Sequence, residues 1–147
     1  FLANYSDGLT DVDLDDMIER FRRSDKLACF LAVRPPLTYH LADIDSDGTV
    51  REFRSSDRSD IWINAGYFVL RPEIFDYMNE GEELVLEPFW RLIEADKLMA
   101  YKHEGFWRCM DNLKDRQVLE EMIEQGRMPW RARDGARQAK TLSIASI

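Results

Sequence analysis

The chain has 147 residues, of which 45% are apolar and 12% aromatic, enough for one globular domain with its own core. A formal net charge of −8 speaks against a nucleic-acid partner, because phosphate backbones are held by basic surfaces. It leaves room for a nucleotide held through a metal ion, and no apolar run approaches the length of a membrane span.

Phe1 to Tyr5 reads as a short strand, so the chain is expected to start inside a larger fold, and no signal peptide is visible. Ser6-Asp7-Gly8 is a turn signal. Leu14, Met17, Ile18 and Phe21 then follow the spacing of one helix face, with Asp13 as N-cap and Asp15 and Asp16 in the first turn. The run 27–33 is apolar on both faces, as a central strand should be, and strand, helix and strand together predict a parallel α/β unit. A hairpin is expected from Thr38 to Ile44 and Thr49 to Arg54, turning at Asp45–Gly48, followed by a polar loop from Ser55 to Asp60. Ile61 to Leu70 is strand-like, broken by Asn64-Ala65-Gly66, and Pro72 starts a short helix through Met78. Pro88 suits a first helical position, with Phe89, Trp90 and Ile93 as the apolar stripe. Leu98 to His103 is another strand. The last helix is placed from Asn112 to Gln125, with Val118, Leu119, Met122 and Ile123 on its core face and Gly126 as its stop. Residues 1–130 are thus read as one domain and 131–147 as a polar, basic, mobile tail.

Several residue types carry possible chemistry. Asp7 stands at the carboxyl end of a strand, where open α/β sheets bind ligands, although local sequence alone favours an ordinary Asp-Gly turn. Asp111 precedes a helix, where a carboxylate can cap the backbone or hold a cation. Together the two could share one Mg2+, which commonly takes one or two carboxylates plus substrate phosphates. Asn64-Ala65-Gly66 either lets a ligand approach the backbone or marks a bulge. Asp43-x-Asp45-x-Asp47-Gly48 looks like the start of a calcium loop, but its twelfth position is Arg54 and no helix precedes it, so a hairpin turn is expected. His40 and His103 have no partner spacing, and Trp62, Trp90, Trp107 and Trp130 read as core. Cys29 and Cys109 form no CxxC pair and no zinc spacing, which reads as two buried, reduced thiols of a cytoplasmic protein. There is no P-loop, GxSxG or HExxH.

Four segments, NYSDGLTDV (4–12), WINAGYFVLRPEIFDYM (62–78), LEPFWRLIEADKLMAYKHEGFW (86–107) and RCMDNLKDRQVLEEMIEQGRMPW (108–130), resemble the sugar nucleotidyltransferases, most closely the glucose-1-phosphate cytidylyltransferase group. The resemblance implies a Rossmann-like, GT-A-like mixed sheet with flanking helices, present without its N-terminal part. It implies transfer of a nucleotidyl group from CTP or another NTP to a sugar 1-phosphate with release of pyrophosphate, in nucleotide-sugar and polysaccharide synthesis. By this likeness Asp7 and Asp111 match the Mg2+ ligands, with no catalytic residue beyond them. Asn64, Ala65 and Gly66 match the sugar-contacting strand, and Glu87 matches the acidic residue before the family's Pro. Two departures stand out. The family's Gly-rich loop and Pro-Lys segment have no counterpart in these residues, so turnover by this chain alone is not expected. The family's Glu-Lys-Pro is replaced by Arg54-Ser55-Ser56-Asp57-Arg58, where Arg58 takes the place of the positive charge. The alternative is a non-catalytic homologue that binds sugar phosphate or serves assembly. Open sheet edges and uncovered apolar surface lead to the expectation of a homo-oligomer.

Overall fold

The computed structural model describes residues 1–35, 40–55 and 60–131. In chain order its elements are β1 (Leu2–Asn4), β2 (Gly8–Thr10), α1 (Leu14–Arg22), β3 (Ala28–Val33), β4 (His40–Ile44), β5 (Val50–Ser55), β6 (Ile63–Leu70), a 3-10 helix (Pro72–Tyr77), α2 (Glu87–Glu94), β7 (Leu98–His103), β8 (Trp107–Cys109) and α3 (Leu113–Glu124). They fall into two compact units: Phe1–Ser6 with Asp13–Glu104, and Asp7–Val12 with the chain from Gly105 onward. Thr38, Arg58 and residues 132–147, including nearly all of the expected tail, lie outside the described residues.

The first unit is built on a four-stranded sheet in the order β1-β6-β3-β7. β6 runs antiparallel to both β1 and β3, while β3 and β7 are parallel. The expected parallel unit is therefore corrected in one respect. β1 and β3 do run the same way, but β6, far later in sequence, inserts between them. The sheet is mixed, with helices flanking it.

α1 starts where its cap signal places it: the Asp13 carboxylate accepts the Asp16 N–H at 3.1 Å. Its Met17 and Phe21 are buried, and β3 is buried at every position but Phe30. Ala28, Phe68 and Leu70 of the sheet pack with Ile74, Phe89 and Leu92 into one core. That core corrects the phase assigned to α2. Its buried stripe is Pro88, Phe89 and Leu92, whereas Trp90 and Ile93 are exposed at 60% and 61%. Trp62, Trp107 and Trp130 are only half-buried, so none of the four tryptophans is a core residue. Similarly, α3 buries Leu119, half-buries Val118 and Met122, and leaves Ile123 exposed. Arg91 of α2 is fixed by a bidentate pair with Glu82 and by donation to the Tyr77 carbonyl at 2.7 Å.

β4 and β5 form the expected hairpin. The Gly48 N–H donates to the Asp45 carbonyl at 2.9 Å with Gly48 at φ +88°, and the Asp47 carboxylate accepts the Thr49 N–H at 2.9 Å. Asp45 pairs with Arg51, so the Asp-rich run serves the turn.

Candidate active site

In the second unit, β2 pairs antiparallel with β8, Gly8 opposite Cys109, Leu9 opposite Arg108 and Thr10 opposite Trp107. The far end of this ladder is closed by Thr10, whose hydroxyl donates to the Phe106 carbonyl at 2.9 Å, and by Asp11, whose carboxylate accepts the Phe106 N–H at 2.7 Å. At the near end the Met110 N–H donates to the Asp7 carbonyl at 2.9 Å. Asp7 therefore sits opposite Met110, and Asp111 follows in the next position. The ladder brings the two candidate metal ligands to one end. Asp7 is followed at once by β2, and α1 begins only after Asp13.

The capping reading of Asp111 is corrected. Asn112 is the N-cap of α3, its side-chain oxygen accepting the N–H groups of Lys114 at 3.0 Å and Asp115 at 3.1 Å. Asp111 is left with one acceptor role, taking the Cys109 Sγ–H on Oδ2 at 3.0 Å. Burial first, then the hydrogen bond to Asp111 and its charge, push the Cys109 thiol up to about 11, so it is a protonated donor at neutral pH. The Asp7 carboxylate makes no hydrogen bond or ion pair among the described residues. Two exposed or half-buried carboxylates not consumed by the backbone suit a hard divalent cation. Among the described residues there is no group of three or more His, Cys, Asp or Glu arranged for a metal, so phosphate and water oxygens would have to complete the shell.

In the first unit, Asn64, Ala65 and Gly66 lie on β6 where its pairing to β3 slips: Phe30 faces Phe68, yet Ala32 faces Asn64. The segment is a bulge. Asn64 Oδ1 accepts the Gly66 N–H at 2.9 Å, so the amide oxygen serves the bulge. Gly66 has φ +77°, and a Cβ there would meet Tyr5 Cδ2 at 2.6 Å. The space next to Gly66 is thus filled by the Tyr5 ring. Glu87 opens α2 in a half-buried position.

Trp62, read from the sequence as core, instead takes part in a cluster with Arg34 and Lys102 that the sequence reading did not anticipate. Arg34 lies over the Trp62 ring at 5.0 Å and Lys102 at 4.9 Å. Trp62 stands immediately before β6, one residue ahead of Ile63.

No protein-family profile matches the chain. It is 37% identical over 132 residues to a glucose-1-phosphate cytidylyltransferase of Salmonella typhimurium, covering 89% of this chain and 51% of that protein. The same values hold for a glucose-1-phosphate cytidylyltransferase of Salmonella typhi. The chain thus spans about half the length of the curated relatives it matches. A solved structure of a Bacillus anthracis protein, assigned as a glucose-1-phosphate thymidylyltransferase and complexed with sucrose, superposes with a TM-score of 0.58 at 14% identity. That match covers 82% of this chain and 53% of the other and bears on the fold alone. The mixed α/β fold is accordingly like that of the thymidylyltransferase structure, and over 89% of its length the chain is similar in sequence to the glucose-1-phosphate cytidylyltransferases.

Proposed function

We propose that the protein carrying this chain transfers a nucleotidyl group, from CTP foremost, to a sugar 1-phosphate and releases pyrophosphate. The observation that supports this reading best is the release of Asp111 from capping by Asn112, at the end of the ladder that also holds Asp7. In a homologue of cytidylyltransferases, two carboxylates so placed suit a Mg2+ ion. When bound, such an ion offsets the negative charge of the phosphates. A sugar phosphate oxygen would attack the α-phosphorus in line, a reaction that depends on positioning and charge neutralisation. Asn64, its oxygen already held by Gly66, has its NH2 group to offer a sugar hydroxyl. Ala65 and Gly66 shape that strand, and Glu87 contributes a further acceptor. Arg58 lies outside the described residues.

The test is a pyrophosphate-release matrix of NTPs against sugar 1-phosphates. CTP with glucose 1-phosphate is expected to lead, and Asp7→Asn and Asp111→Asn each to lower the rate by about 100-fold. A rate indifferent to both substitutions overturns the reading. The replacement of Glu-Lys-Pro by Arg54–Arg58 supports a second reading, a sugar-phosphate-binding module without turnover. Glucose 1-phosphate binding with a silent matrix would favour it.

A further inference from the structure

Two carboxylates stand at the start of α3, and they are held differently. Asp115 accepts the Asn112 amide N–H at 2.6 Å and lies 4.0 Å from the Arg108 guanidinium. Asp111 pairs with no cation among the described residues. Its one hydrogen-bond partner there is the Cys109 thiol, which donates to Oδ2 at 3.0 Å, and Oδ1 accepts nothing. Cys109 ends β8, and across the ladder stands Gly8, which has no side chain to engage the thiol.

A thiol is a weak and uncharged donor. Bonded to a carboxylate, it fixes the orientation of that group and leaves its charge in place, whereas a Lys or Arg at the same position would neutralise it. The free oxygen and the undiminished charge of Asp111 are what a hard divalent cation takes. We infer that Cys109 is a positioning residue, whose thiol holds Asp111 by Oδ2 so that Oδ1 faces the cation. Its sulfur is not itself a ligand in this assignment, because Mg2+ takes oxygen. The inference rests on the Mg2+ reading of Asp7 and Asp111 above and deepens it.

Mn2+, which like Mg2+ prefers six oxygens, serves as the probe, and electron paramagnetic resonance of the free ion reads its binding to this chain. Asp7→Asn and Asp111→Asn are each expected to weaken binding about tenfold or more, and Cys109→Ala about tenfold. Cys109→Ser keeps a donor and should stay within about twofold of the unaltered chain. A second readout is the S–H stretching band in the infrared, assigned to Cys109 by its loss in Cys109→Ala. It should shift in Asp111→Asn and again when Mn2+ is added to the unaltered chain. A cysteine that only fills space would separate neither Ala from Ser nor one band position from another. Cys109 is half-buried, so thermal melts should show the variants folded. If Cys109→Ala takes up Mn2+ as the unaltered chain does while Asp111→Asn does not, the positioning role is overturned and the cation reading stands. If both Asp variants bind as the unaltered chain does, or that chain takes up no Mn2+, the cation reading fails and the positioning role with it.

Discussion

At Gly66 two separate constraints meet. The backbone sits at φ +77°, and the Tyr5 ring occupies the place of a side chain. Gly66→Ala should therefore lose roughly 1–3 kcal/mol of stability, read as a lower midpoint in thermal or urea unfolding. An unchanged midpoint would mean that neither constraint holds. Cys109 offers a chemical readout of its neighbour. Its thiol is pushed up to about 11, in part by the Asp111 carboxylate, so it should alkylate slowly at neutral pH. Asp111→Asn removes that charge and should speed alkylation about threefold or more, as intact mass spectrometry of iodoacetamide-treated protein would report. Equal rates would remove the Cys109–Asp111 contact. The interruption at Asn64–Gly66 was legible as a break in a strand. Its cause was not, because the residue that fills the gap, Tyr5, lies some sixty positions upstream, and no local pattern announces it.

Among the elements, α3 separates two roles that look alike in sequence. Asn112→Ala should cost about 1 kcal/mol through loss of the cap, whereas Asp111→Ala should leave thermal stability nearly untouched. The reverse ranking in a melting experiment would restore Asp111 as the cap. Adjacent Asp and Asn are both good caps, and only the hydrogen bonds decide between them. The Glu82–Arg91 pair gives α2 a pH dependence. The Arg91 guanidinium, with Asn79, holds the Glu82 carboxyl at about 2, against an ordinary 4.5. A depressed acid contributes stability above its unfolded value and loses it on acidification. The contribution should thus be complete above about pH 4.5 and fade toward pH 2, and Glu82→Gln should flatten that part of a pH–melting profile. Helix α2 was legible as a helix from Pro88 and its apolar content. Its phase was not, since Trp90 and Ile93 satisfy helical spacing as well as Leu92 does, and the choice is made by Ile74 and Phe68.

At the scale of the whole molecule, large apolar side chains remain uncovered: Phe1 and Leu2 at 54% and 53%, Trp90 and Ile93 at 60% and 61%. Such surface favours association. Sedimentation at increasing concentration should show a dimer or larger species, and Trp90→Glu should shift it toward monomer; a clean monomer throughout would count against the expectation. Among the described residues no helix is long and apolar enough to cross a membrane. The α/β class was legible from alternating strand and helix patterns, because those patterns are local. The position of β6 between β1 and β3 was not, since strand order depends on which edges meet after the chain has closed. The β2–β8 ladder takes this furthest, joining Thr10 to Phe106 across 96 residues. Closing so long a loop is slow and entropically costly, and it must wait for the later strand. During synthesis Asp7 emerges long before Asp111, so the two carboxylates can come together only after β8 has been made. The four-stranded sheet waits almost as long, since its edge strand β7 ends only at His103, so sheet and carboxylate pair are completed by neighbouring stretches of the same late segment.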